Sequence, residues 1–143
     1  MGLLDRLFGG SEPQHPPLEA GTPLAARLDT FSGELEQLAG SVRDTLEAVP
    51  EREALFVFVG HPPKGFGVVR YGPEGESNLI QVMREAKLPP TRVQEVSDQA
   101  RQAYVAHQEA PRFALQVGKR AVTVIDSEPL GEKLDAVFTA ARG

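Results

Sequence analysis

Residues Ala54 to Gly60, ALFVFVG, leave no polar side chain on either face of an extended chain: Leu55, Val57 and Val59 point one way, Phe56 and Phe58 the other. Side chains alternate across a strand, so a sheet with one wetted face would show a polar residue at every second position. This segment must be covered on both sides. The run is too short for a core helix and rich in the β-branched and aromatic residues that suit strands. One central strand thus demands a sheet with helices packed against its faces.

The flanking segments supply the rest of that sheet. Phe66 to Tyr71, FGVVRY, reads as a second strand across the loop His61-Pro62-Pro63-Lys64-Gly65, and Gly72-Pro73-Glu74-Gly75 then makes a turn. A second hairpin comes later: Phe113, Leu115 and Val117 alternate with Arg112, Ala114 and Gln116, and Gly118-Lys119 suits a type II′ turn, which needs glycine first. That turn places Leu115 opposite Val122 and Phe113 opposite Val124.

Helices are expected between the hairpins and at both ends. Thr22-Pro23 is a good start signal, a capping hydroxyl followed by proline at the first helical position. Leu24, Leu28, Phe31, Leu35, Leu38, Val42, Leu46 and Val49 then follow at nearly heptad spacing, which predicts a helix over 23–49 stopped by Pro50. Gly33 and Gly40 lie on one face of it, and read either as a close approach for another backbone or as a point where the helix bends or splits. Ser77 is expected to cap a short helix over 79–87. Thr91 and Gln94 fit a capping box for another helix to about Glu109, with Val93, Val96, Ala100, Ala103, Tyr104 and His107 inward. A last helix from Pro129 should bury Leu130, Leu134, Val137, Phe138 and Ala141. The expected fold is α+β, an antiparallel sheet of about four strands in two hairpins, in the order α-ββ-αα-ββ-α.

The expected organisation is an amphipathic leader over 1–10, a disordered proline-rich tether over 11–21, and one α+β domain over 22–143. In the leader, Leu3, Leu4, Leu7 and Phe8 share one side of a helix, with Asp5 and Arg6 opposite, and Gly9-Gly10 ends it. Pro13, Pro16, Pro17 and Pro23 mark the tether. A chain of 143 residues can bury about two-thirds of its unfolded surface, enough for one core.

Composition removes several classes of function. The chain has no cysteine, hence no disulfide, thiolate nucleophile or Cys-based zinc site. Net charge is −5 and the basic residues are scattered, so nucleic-acid binding, which needs clustered Lys and Arg, is not expected. The N-terminus is too short in its apolar part for a signal peptide, and no stretch approaches the roughly 20 apolar residues of a membrane span. A cytoplasmic location is expected, with a peripheral position at the inner membrane face as its variant.

No residue set reads as catalytic and none as a metal or cofactor site. The stretch 60–67 is glycine-rich, but Phe66-Gly67 stands where a phosphate loop needs Lys and then Ser or Thr. It still offers an imidazole and an ammonium, His61 and Lys64, to an anionic ligand. His15, His61 and His107 lack ligand spacing, and His107 reads as a hydrogen-bonded, partly buried side chain. The carboxylates Asp29, Glu34, Glu36, Asp44 and Glu47 read as a solvated helix face.

The leader is the most suggestive feature. Burying its four large apolar side chains yields about 6–12 kcal/mol, and ordering seven residues costs on the order of 10 kcal/mol, so attachment is weak and reversible. Asp5 cancels Arg6, which favours a protein groove over an anionic lipid surface. The sequence therefore points to a non-enzymatic interaction or adaptor module. Leu3, Leu4, Leu7 and Phe8 would dock on a protein partner, and a homodimer could form through helix 23–49. The alternatives are an anionic-ligand protein or enzyme using the 60–67 loop, and a peripheral membrane protein with weak surface contact.

Overall fold

The computed structural model describes residues 15–143. The leader over 1–10, with Leu3, Leu4, Leu7 and Phe8, and the first part of the expected tether lie outside the described residues.

A six-stranded sheet organises the fold. Two helices, α1 (Pro23–Asp29) and α2 (Ser32–Ser41), precede the strands β1 (Leu46–Pro50), β2 (Leu55–His61), β3 (Gly65–Gly72) and β4 (Gly75–Asn78). Then come α3 (Leu79–Glu85), α4 (Pro90–Ala106), the hairpin β5 (Arg112–Val117) and β6 (Arg120–Ile125), and α5 (Glu128–Ala141). The strand order is β4-β3-β2-β1-β6-β5. All neighbours run antiparallel except β1 and β6, which pair in parallel at Glu47 with Thr123 and Ala48 with Val124. The fold is α+β, but the sheet is mixed and has six strands where about four antiparallel ones are expected.

The cover on both faces demanded by Ala54–Gly60 is present. Phe56 and Phe58 are sealed on one side with Met83, Val96, Leu134 and Phe138, beneath α3, α4 and α5. Leu55 and Val57 are sealed on the other with Leu24, Leu28, Phe31 and Leu35, beneath α1 and α2. Phe58 meets Tyr104 edge-on at 5.0 Å between ring centroids, and Phe56 meets Phe138 at 5.7 Å.

The expected helix over 23–49 is not continuous. It breaks at Thr30–Phe31, resumes as α2 and ends at Ser41, and residues 46–50 form β1. Its start is as expected: the Thr22 hydroxyl accepts from the Ala25 amide at 3.1 Å, with Pro23 in the first turn. The break lets the apolar stripe of α1 and α2 follow the sheet, where Leu24, Leu28, Phe31, Leu35 and Ala39 are buried. The apolar stripe of this region is thus packed on the chain's own sheet. A Cβ added at Gly33 or Gly40 would meet nothing within 4 Å, so no other described segment of this chain approaches either glycine closely.

β1 becomes the strand between the two hairpins. Its antiparallel pairing with β2 runs from Leu46 with Val59 to Pro50 with Leu55. Arg120 fixes the turn that feeds it. Its guanidinium donates to the carbonyls of Ala39 and Val42, near the C-terminus of α2, and to that of Asp44. Part of the only adjacent basic pair in the chain is thereby used to cap a helix end.

Elsewhere local signals are followed closely. The β5–β6 register places Leu115 opposite Val122 and Phe113 opposite Val124. Gly118 has φ +61° while Lys119 stays out of the positive-φ region, as a type II′ turn requires. The residues Leu130, Leu134, Val137, Phe138 and Ala141 of α5 are all buried. Two caps differ. Asn78 rather than Ser77 caps α3, its side-chain oxygen accepting from the Ile80 and Gln81 amides. Helix α4 begins at Pro90 behind Pro89 with no side-chain cap, so the Thr91–Gln94 box does not form.

Candidate functional site

A cleft of about 780 Å³ opens where the N-terminal segment, α1, β5 and the start of α5 converge. One wall lies within the expected tether. The Leu18 amide donates to the Ala114 carbonyl at 2.9 Å, and the Ala114 amide to the Pro16 carbonyl at 2.9 Å. Pro17 faces Ala114 as a parallel bridge between these bonds. In this pairing the donor that proline lacks would point away from β5, so no ladder bond is lost. The described part of the 11–21 tether is therefore held against the sheet edge by this isolated bridge, before a turn at Ala20–Gly21 closed by the Thr22 hydroxyl donating to the Glu19 carbonyl at 2.9 Å.

Opposite this wall stand Leu24 and Arg27 of α1 and the segment Asp126–Pro129, with Phe113 between. Ser127, buried, accepts from the Leu130 amide and so starts α5 beside the cleft. Arg27 pairs with Glu128 at 3.0 Å, linking α1 to α5. The lining is thus apolar, from Leu18, Phe113 and prolines, and carries Glu19, Asp126 and Glu128 against one cation. The volume lies within the range of about 300–1,000 Å³ typical of ligand sites.

The loop offered by the sequence for an anion is arranged differently. His61 and Lys64 are both exposed on the β2–β3 turn, and neither lines this cleft. Arg101, which could have added a donor there, spends its Nε on the Pro63 carbonyl at 2.8 Å and a terminal nitrogen on Asp98 at 2.6 Å. Its guanidinium lies over the Phe66 ring at 5.8 Å, and so fastens the loop to α4. His107 is half-buried with Nδ1 2.8 Å from the Ala103 carbonyl. No group of three or more His, Asp or Glu among the described residues could hold a metal ion. No helix among them is long and apolar enough to cross a membrane.

Of the carboxylates expected on a solvated helix, Asp29, Glu34, Glu36 and Asp44 are exposed. Glu47 is not. It sits on β1 with 14 % of its side chain exposed, accepts from the Tyr104 hydroxyl at 2.8 Å and faces Arg112. Arg112 also lies over the Tyr104 ring and donates to the carbonyls of Gln108 and Ala110. Burial, then the Glu47 charge and hydrogen bond, raise the Tyr104 phenol above its ordinary value, with Arg112 opposing. Each polar group here is answered by another of the domain, so this cluster fastens β1, α4 and β5 together.

A second cluster surrounds Arg70 of β3. Its guanidinium pairs with Glu74, lies 3.6 Å from Asp135 and stacks over Phe56. Glu51 nearby has a raised pKa, first from burial and then from the Asp135 charge, with Arg70 opposing and Glu132 and Glu53 adding.

No family model matches this chain, and no match was found among curated proteins or solved structures.

Proposed function

We propose that this chain is a non-enzymatic protein-interaction module in which a rigid α+β scaffold is recruited through its N-terminal segment. The observation that carries this reading is the seat of Pro16–Leu18 on the β5 edge, where these residues form one wall of an apolar-lined cleft. Main-chain pairing at a sheet edge beside pockets for side chains is a common mode of peptide recognition. The amphipathic pattern of Leu3, Leu4, Leu7 and Phe8 adds a second recognition element on the same segment. A catalytic reading has less support, because the polar clusters at Glu47 and Arg70 are engaged within the domain and His61 and Lys64 are exposed on a turn.

The test is affinity capture with the full chain, a chain lacking residues 1–10, and Leu7→Asp in the full chain. A stoichiometric protein partner held by the full chain and lost in both variants is the expected result. Identical partners in all three would refute the reading. Co-sedimentation with anionic vesicles, abolished by Leu7→Asp, would replace it with peripheral membrane attachment.

A further inference from the structure

We infer that the cleft beside Pro16–Leu18 is a docking site for the chain's own segment Leu3–Phe8, so that the leader is held in cis until a partner competes for it. This deepens the adaptor reading and rests on it for the partner, but the cis contact itself stands on three separate observations.

The first is connectivity. Pro16 and Pro17 line the cleft, so the chain enters it from the N-terminal side. Only residues 9–15 separate Phe8 from Pro16. Seven residues span at most about 24 Å, and a short covalent link holds a segment at an effective concentration on the order of millimolar. A contact too weak to persist between separate molecules is populated under that condition.

The second is chemistry. Leu18 and Phe113, both half-buried, offer aliphatic and aromatic surface that matches the one apolar face of Leu3, Leu4, Leu7 and Phe8. The third is charge. Among the described residues Arg27 is paired with Glu128, and Glu19 and Asp126 on the rim have no ion-pair partner. The leader's cation, Arg6, could pair with either of these unanswered carboxylates.

The test uses purified protein with no partner. A synthetic peptide of residues 1–10 is titrated into ¹⁵N-labelled chain lacking residues 1–10, and also into the full chain. Expected are amide shifts confined to Leu18, Thr22, Leu24–Arg27, Phe113, Asp126–Glu128 and Leu130 in the truncated chain. The shifts should be at least fivefold smaller in the full chain, where the cleft is already filled. A Leu7→Asp peptide should give none, and Asp126→Lys should weaken the response severalfold. Absence of shifts, or shifts confined to residues outside this cleft, would overturn the inference. So would a full chain that sediments as a dimer while the truncated chain is a monomer, since the leader would then sit on a second copy. None of these outcomes depends on whether partner capture succeeds, so the two proposals fail independently.

Discussion

The Tyr104 hydroxyl reaches from α4 to the carboxylate of Glu47, 2.8 Å away on the central strand β1. Glu47 is opposite Phe58 on β2 and Thr123 on β6, so this bond ties a helix to the strand where the two halves of the sheet join. Tyr104→Phe should cost about 1–2 kcal/mol, near the low end for a hydrogen bond to a charged group because Arg112 still answers the carboxylate. Arg112→Ala should cost more than Tyr104→Phe, because it uncovers Glu47 and frees the Gln108 and Ala110 carbonyls. A double-mutant cycle in urea would show a coupling near zero if the two do not act on Glu47 together.

The tyrosines give an alkaline signature. Burial, with the charges on Glu76 and Glu34, pushes Tyr71 up to about 12 from its ordinary 10, and Tyr104 is raised as well. A raised pKa means the folded state holds the proton more tightly, so its contribution to stability is complete below pH 10 and is lost as pH climbs through the folded value. These are the only two tyrosines in the chain. Tyrosinate absorbance should therefore rise later in the native protein than in urea, and stability should fall between about pH 10 and 12. Tyr71→Phe should flatten much of that fall. Coincident native and unfolded titration curves would contradict it.

Glu51 should behave as a destabilising carboxylate at neutral pH. Burial first, and Asp135 second, raise its pKa, so the folded state disfavours the charged form. Its contribution is complete below the unfolded value of about 4.5 and is lost as pH rises through the folded one. Glu51→Gln is expected to raise the melting temperature at pH 7 and to give no gain at pH 4. Calorimetry at both values checks the sign.

Two glycines should differ in what they tolerate. A Cβ at Gly60 would lie 2.6 Å from the Gly65 carbonyl oxygen, at φ +122°. At Gly118, φ is +61° and the space is open. Gly118→Ala should cost about 1–2 kcal/mol from the left-handed backbone alone. Gly60→Ala should cost more, because a backbone atom has to move, and its amide spectrum should change along the β2–β3 turn.

The interior should be equally demanding on both faces. Phe138→Ala under α5 should cost about 3–5 kcal/mol and Leu35→Ala under α2 about 2–5 kcal/mol. Both side chains are at most 2 % exposed. A negligible loss for Leu35→Ala, measured by denaturant midpoint, would mean that α1 and α2 are not part of the cooperative unit.

Much of this fold is legible where local chemistry and burial agree. The Gly118 turn, the register of β5 and β6, the buried stripe of α5 and the Thr22-Pro23 start all have short-range causes. β1 does not. Val42, Leu46 and Val49 continue the 4- and 3-residue spacing of the preceding helix, and Leu, Glu and Ala are good helix formers. Pairing with β2 on one side and β6 on the other overrides that preference; β2 follows directly across a short connection, but β6 lies far along the chain. β4, Gly75–Asn78, is too short and polar to show any alternation. The cleft was hidden for a similar reason: Leu18, Arg27, Phe113 and Glu128 belong to four separate segments, brought together only by the finished sheet.

The parallel junction of β1 and β6 also sets an order of events during synthesis. Glu47 and Thr123 are 76 positions apart, so when the first four strands have left the ribosome β1 still has a bare edge. The apolar face that holds Phe56 and Phe58 likewise waits for α5, which ends at Ala141. A nascent chain stalled before residue 112 therefore presents an open strand edge beside uncovered aromatics, the combination most apt to aggregate or to engage a chaperone. Closure of this domain waits for β6 and α5, and contacts so distant in sequence make it slow.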